Sequence, residues 1–306
     1  MNPRLTLAQL RMFVATAETG GFGAAAAELN MSQSTISEAV KGLERTLGTL
    51  VFRRTSGGIQ LTAAGDVALN YARTALEAAS DLERAVKDMS ALHLTGTLTV
   101  ATYRSLGVHL LTPILGFLRS THPLLEVKVM DAELDGESGQ RFIREGQVDV
   151  GLIQLTESND LLTWPLLDDE YWAVFPIRRG KRPVQWSELR EQPLLLPPDS
   201  SCYTAIRAHL ATHLGQEYSV LEIADDDVIF SMVEHGLGLT VMPRLATLPL
   251  RDGLVALPLP NPVHRSIGVA VKPGRAGLPH IQAFLKAMQA HKTAVTLPTP
   301  LQLKSS

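Results

Sequence analysis

The 306-residue sequence holds one cysteine, Cys202, which excludes an intramolecular disulfide and suits a reducing compartment. No stretch approaches the roughly 18 uncharged apolar residues that a membrane-spanning helix requires. The opening Met1-Asn2-Pro3-Arg4-Leu5-Thr6 does not set a basic stretch before an apolar core, so no secretion signal is expected. These absences point to a cytoplasmic protein with no membrane partner. An excess of positive charge is also missing. The chain has 28 Lys and Arg against 31 Asp and Glu, for a net charge of −3, which argues against coating nucleic acid through bulk charge. Residues 1–92 carry nine basic and nine acidic side chains, and the remainder 19 and 22. Any nucleic-acid binding must therefore come from local placement of charge.

Catalytic signatures are equally scarce. There is no phosphate-binding P-loop and no GxSxG serine elbow, and Gly236-Leu237-Gly238 precedes a strand where a dinucleotide fingerprint would follow one. His209 and His213 stand four apart without the intervening glutamate of a zinc-binding HExxH. Asp225-Asp226-Asp227 could suggest a cation site, but Asp227 stands where the N-cap of a helix over 228–234 belongs. No further oxygen ligands accompany it. The sequence predicts no catalytic residues, no cofactor and no metal.

What is present begins with helical periodicity. Residues 7–18 place Leu7, Leu10, Phe13, Val14 and Ala17 on one face, and Gly20-Gly21 stops that helix. An alanine-rich helix spans 24–29. Asn30 can take the left-handed conformation that ends it, and Ser32 caps a third helix running to about Leu47 before Gly48. Ile36, Val40, Leu43 and Leu47 form its apolar face. Residues 51–61 are two short extended runs about Gly57-Gly58, the pattern of a tight hairpin. Thr62 then caps a helix from 63 to about 92, roughly 45 Å long at 1.5 Å per residue. Ala68, Ala72, Ala75, Ala79, Leu82, Val86 and Met89 alternate spacings of four and three along it, a coiled-coil seam. A lone helix cannot bury such a stripe, and its simplest partner is the same helix of a second subunit.

After Gly96 the texture becomes α/β. Strands are expected at 98–101, 125–130, 148–153, 171–175, 194–196, 220–223, 239–242 and 267–271. Helices are expected at 105–120, 140–145, 204–214, 228–234 and 280–291, which implies βαβ units and a largely parallel sheet. The tail from 292 has no pattern and is expected to be flexible.

One block runs through Leu10-Arg11-Met12-Phe13-Val14, Gly21-Phe22, Ala25-Ala26-Ala27-Glu28-Leu29 and Ser32-Gln33-Ser34-Thr35-Ile36-Ser37. It continues through Leu43-Glu44, Leu47-Gly48, Leu50-Val51-Phe52-Arg53-Arg54 and Leu61-Thr62-Ala63-Ala64-Gly65, with a further segment at residues 236–243. In these residues and their spacing the chain resembles the LysR-type transcriptional regulators of bacteria. The resemblance implies an α/β multidomain protein with a winged helix-turn-helix (5–62), a linker and dimerisation helix (63–92) and an effector-binding domain (95–291). That last domain would hold two Rossmann-like lobes resembling a periplasmic binding protein, about 95–162 plus 267–291 and about 163–266. It further implies double-stranded DNA with an inverted-repeat site, a small-molecule effector, a homodimer or homotetramer, and contact with RNA polymerase.

With Ile36, Val40 and Leu43 turned inward, Ser32, Gln33, Ser34, Thr35, Ser37, Glu38 and Lys41 are the expected DNA face. Gln33 is suited to adenine and Lys41 to phosphate or guanine. Arg53 and Arg54 would meet the phosphate backbone. Many relatives carry Pro at Ser34 and Arg at Glu38, and a hydroxyl residue at Gly23, so non-specific affinity is expected to be weak. The alternative for a helix of this kind taken alone is a merely solvated face. In the lobes, Thr102, Tyr103, Arg104, Ser105, Ser200, Ser201, Tyr203 and Asp227 are expected around an inter-lobe cleft that takes a small organic acid. The alternative for each hydroxyl is a helix cap. Some relatives sense oxidants through a cysteine near Cys202, but that chemistry usually needs a resolving thiol. Three other readings stand beside the effector-modulated regulator: a ligand-independent regulator, an α/β enzyme, and an architectural DNA-binding protein with no use for a ligand-sized domain.

Overall fold

A computed structural model of the protein describes residues 5–55, 58–89, 94–132, 139–156, 160–198, 203–215 and 218–291. The chain forms two compact units, residues 1–92 and 93–306.

The first unit opens with α1 (Leu7–Thr19), capped by Thr6 in a reciprocal pair with Gln9 and ended by Gly20 in the left-handed conformation. Next come α2 (Phe22–Glu28) and α3 (Gln33–Leu47), and between them Asn30 takes φ 52°. Ser32 caps α3 by accepting from Thr35 N, and Gly48 ends it at φ 70°. The hairpin β1 (Phe52–Thr55) and β2 (Gly58–Leu61) pairs Phe52 with Leu61 through Thr55 with Gly58, and its turn lies outside the described residues. The long α4 (Ala63–Met89) follows. Phe13, Val40, Leu43, Val51 and Phe52 form the core, with the Phe13 and Phe52 rings 5.4 Å apart and tilted. Leu47, expected on the buried face of α3, is 40% exposed because α3 has already passed the packed core at its last turn.

The second unit holds β3 (Gly96–Thr102), α5 (Arg104–Leu106), α6 (Thr112–Thr121), β4 (Leu125–Asp131), α7 (Gly139–Arg144) and β5 (Val150–Gln154). The chain then runs along β6 (Leu162–Pro176) into α8 (Trp186–Arg190), β7 (Leu194–Leu196), α9 (Thr204–Leu214), β8 (Val220–Glu222), α10 (Asp226–Glu234), β9 (Thr240–Pro243) and β10 (Leu254–Pro258). It returns along β11 (His264–Val271) to α11 (Pro279–His291).

Three features differ from the sequence expectation. The helix expected over 105–120 is interrupted by a wide turn, Gly107–Leu111, in which Thr112 N and its hydroxyl both bond Gly107 O. Pro113 then opens α6 where its missing N–H costs least. The strand expected at 171–175 is the 15-residue β6, whose middle carries the polar run Asp168-Asp169-Glu170 that masks it. The seven-stranded sheet, in the order β10-β6-β11-β5-β3-β4 with β9 also on β6, is mixed. β3 runs parallel to β4 and β5, while β6, β9, β10 and β11 pair antiparallel. The chain leaves the first lobe along β6 and comes back along β11, so these two neighbours must run in opposite directions. β7 and β8 make a separate parallel pair in the second lobe.

Candidate nucleic-acid interface and ligand cleft

On α3 the apolar positions Ile36, Val40 and Leu43 are at most 2% exposed, which turns the intervening polar positions outward. Ser32, Gln33, Ser34, Thr35, Glu38 and Lys41 are exposed, and Ser37 is half-buried. Ser32 Oγ lies 2.7 Å from Ser34 Oγ and 2.8 Å from Thr35 Oγ1, so the first turn presents a knot of hydroxyls. Lys41 Nζ pairs with Glu38 Oε1 at 3.3 Å. The Glu38 carboxylate is thus partly neutralised within its own helix. Arg53 and Arg54 are exposed on β1, and Arg53 donates to Gln60 Oε1 across the hairpin. Glu44 accepts from Val51 N at 3.0 Å, tying α3 to the wing, and Thr62 donates to Leu50 O and accepts from Gly65 N. Gly65 is obligatory, because a Cβ there would collide with Val51 O.

The seam expected on α4 divides. Ala72 is 2% exposed, and Ala68 packs beside it against the unit's own core. Ala75 and Ala79 are half-buried, and Met89 is described by its backbone alone. The uncovered apolar residues are Val67, Tyr71, Leu82 and Val86, at 58, 75, 66 and 59% exposure. At its upper end the stripe is therefore rotated by one residue from the expected alanines, because α1 has claimed the Ala68–Ala72 face. Val67, Tyr71, Leu5 and Leu47 border an apolar groove of about 580 Å³.

In the second unit, the carboxyl ends of β3 and β4 face those of β7 and β8 across a cavity of about 210 Å³. Tyr103, Arg104 and Ser105 follow β3 and Asp131 ends β4. Pro197 follows β7, and Asp225 and Asp226 follow β8. Tyr203 and Arg265 complete the polar wall. Of the residues expected here, Tyr103, Arg104, Ser105 and Tyr203 come together. Thr102 does not line the cavity; it is 4% exposed and its hydroxyl turns to Tyr103 O. Asp227 lies outside the wall, on the surface, paired with Arg251 at 2.9 Å. The cap of α10 is Asp225, which accepts from Asp227 N and Val228 N, in place of the expected Asp227. Ser200, Ser201 and Cys202 lie outside the described residues.

Arg265 is the member that sequence reasoning missed. Its side chain is 3% exposed and pairs with the fully buried Asp169 at 2.9 Å, while its Nη2 also donates to Ser105 Oγ at 3.2 Å. Asp169 accepts in addition from Leu245 N at 3.0 Å. Since β6 and β11 both run between the lobes and place Asp169 opposite Arg265, the pair sits where the lobes join. Nothing in the local sequence separates this arginine from an exposed one. Arg104 reaches across from the first lobe to Asp226 at 3.6 Å and Asp227 at 3.5 Å in the second. Hydrogen bonding from Arg251 holds the Asp227 carboxyl below its ordinary range, burial opposes this, and the charges of Arg104 and Arg251 add to the lowering.

A DNA-sized helical face on one unit and a polar cavity at converging strand ends on the other define a DNA-binding regulator with a ligand-binding domain. Residues 7–66 match the bacterial regulatory helix-turn-helix of the lysR family, and residues 92–293 the LysR substrate binding domain. The chain belongs to the LysR family of transcriptional regulators, which are not enzymes. It is 33% identical to the probable regulator LrrA of Synechococcus elongatus, over 93% of this chain and 97% of that one. It is 27% identical to the dual regulator OxyR of Escherichia coli, over 94% and 95%. Among solved structures, full-length OxyR of Pseudomonas aeruginosa superposes with a TM-score of 0.72 at 23% identity, covering 94% and 95%. CbnR complexed with its target DNA gives 0.65 at 21%, covering 94% and 99%. These last two likenesses are of fold. No helix among the described residues is long and apolar enough to cross a membrane.

Proposed function

We propose that this regulator works in the cytoplasm as a dimer, or a dimer of dimers, and reads an inverted-repeat DNA site through the first turns of two α3 helices. Its grip is modulated by a small organic acid in the cavity between the lobes. The proposed division is 5–62 for DNA binding, 63–92 for dimerisation and 95–291 for the effector, with lobes of about 95–162 plus 267–291 and about 163–266. Gln33, Ser34, Ser37 and Lys41 read base edges or phosphates, while Arg53 and Arg54 contribute salt-dependent contacts to the backbone. Contact with RNA polymerase belongs to the same proposal.

The observation that carries the effector reading is the convergence of Tyr103, Arg104, Ser105 and Tyr203 on one cavity at strand carboxyl ends. Three carboxylates, Asp131, Asp225 and Asp226, stand in that wall against two guanidiniums, of which Arg265 is already paired with Asp169. A ligand with a single carboxylate and donor groups matches this balance better than a dianion. Relatives named as hydrogen peroxide-inducible activators share 27–30% identity with this chain. A dithiol–disulfide cycle within one chain is closed to a sequence with one cysteine, which favours a bound metabolite.

A footprint on fragments flanking the gene, repeated with a panel of organic acids, tests the proposal. Protection of two half-sites about one helical turn apart, altered by one acid, is expected. Thermal shift with Ser105→Ala and Tyr203→Phe locates that acid. Equal stabilisation of both variants and the wild type would remove it from the cavity, and no acid altering the footprint would favour the ligand-independent reading.

A further inference from the structure

A second cavity in the ligand-binding unit, of about 400 Å³, shares no residue with the inter-lobe cleft. It lies where the turn after β6 (Ile177–Arg179), α8 and the Gly236–Gly238 segment meet. Its volume falls in the range of roughly 300–1,000 Å³ typical of small-molecule pockets. The run Arg178-Arg179-Gly180-Lys181-Arg182 puts four cations in five residues of a chain whose net charge is −3, and its three arginines line this cavity.

Those arginines are unequally committed. Arg179 is 7% exposed, pairs with Glu188 at 2.6 Å, donates to the carbonyls of Arg182 and Pro183, and lies 4.1 Å over the Phe175 ring. Arg182 pairs with the same Glu188 at 3.0 Å, so one carboxylate serves two guanidiniums and a positive charge is left over. Arg178 has no hydrogen-bond or ion-pair partner among the described residues. Its guanidinium rests against Gly236, at φ +73°, where a Cβ would collide with Arg178 Nη2. Glu191 and Gln192, whose side chains also have no partner among the described residues, line the same cavity.

We propose that this cavity is a second ligand site, for a phosphorylated metabolite of sugar-phosphate or mononucleotide size. Arg178 and Arg182 take the phosphoryl oxygens through forked donors, which suit a tetrahedral dianion better than a single ammonium does. Glu191 and Gln192 accept from the ligand's hydroxyl or amino groups, and Glu191 repels an anion that offers no such donor. Arg179, saturated by Glu188 and the carbonyls, holds the wall rigid. The inference stands independently of the effector assigned to the cleft.

Titration calorimetry on the full-length protein without DNA tests it, with ribose 5-phosphate and AMP as probes and ribose, adenosine and inorganic phosphate as controls. The expected result is saturable binding of a phosphorylated probe that Arg178→Gln weakens about tenfold or more and Arg104→Gln, in the cleft, leaves unchanged. Glu191→Ala is expected to weaken the same probe several-fold. Both substituted side chains are without partners among the described residues, so the variants should keep the wild-type Tm. The proposal is overturned if neither probe binds saturably at millimolar concentration, if Arg178→Gln binds like wild type, if Arg104→Gln abolishes binding, or if inorganic phosphate binds as tightly as AMP.

Discussion

Single residues carry much of the electrostatic design of the ligand-binding unit. Asp169 is fully withdrawn from water and Arg265 nearly so, and they are satisfied by one another, by Leu245 N and by Ser105. Removing one partner strands a buried charge, which typically costs about 3–5 kcal/mol. Arg265→Met should therefore lower stability by that amount in urea unfolding, and adding Asp169→Asn should restore much of it, since the asparagine oxygen still accepts from Leu245 N. Glu188 offers a second residue-scale test. Hydrogen bonding from Arg179, only partly opposed by burial and joined by Arg182 and Gln185 N, brings its carboxyl from 4.5 down to about 2. In the unfolded chain the group protonates near 4.5, so its stabilisation is complete above that pH and is lost as pH falls toward 2. Between about pH 5 and about pH 3 the Tm of the wild type should drop more steeply than that of Glu188→Gln, and parallel curves would contradict the assignment.

At the scale of elements, α3 and α4 set the DNA-binding unit. α3 is fixed at its start by Ser32, whose loss as Ser32→Ala should cost about 1 kcal/mol of stability. Gln33→Ala leaves the cap intact and should cost about 1–3 kcal/mol of site-specific DNA affinity, with little change on non-specific DNA, in a competition gel shift. On α4 the exposed stripe Val67, Tyr71, Leu82 and Val86 is the face left for a partner. Leu82→Glu, 66% exposed in the single chain, should leave the secondary structure intact and shift sedimentation toward the monomer. An unchanged oligomer would place the interface elsewhere. The boundaries of α3 were legible because cap, period and C-terminal glycine agree along the sequence. The face of α4 was less so. A seam of alanines reads the same whether the helix packs on its own unit or on another chain, and only the position of α1 separates Ala72, which is buried, from Tyr71, which is not.

For the whole molecule, the proposed arrangement predicts a DNA affinity with a strong salt dependence despite the chain's net charge of −3. The slope of log K against log salt should count the few phosphates met by Arg53, Arg54 and Lys41 in each subunit, and Arg54→Gln should reduce it by about one for each subunit bound. Across the ligand-binding unit, Arg104 spans the cavity mouth from the first lobe to Asp226 and Asp227 of the second. A carboxylate ligand would compete for that guanidinium, which gives binding a means of shifting lobe geometry.

Local periodicity, capping and turn chemistry were enough to determine the three helices, the hairpin, the linker helix and an α/β domain, because each signal is written within a few consecutive residues. The exposed polar face of α3 followed from the same pattern, as the complement of Ile36, Val40 and Leu43. The tertiary structure decided what depends on residues far apart in the chain: the antiparallel centre of the sheet, the choice of Asp225 over Asp227 as cap, and the withdrawal of Thr102 from the cavity. It alone joined Asp169 to Arg265, 96 residues apart. A buried ion pair depends on strand register across a fold, and no local pattern of side chains encodes that register.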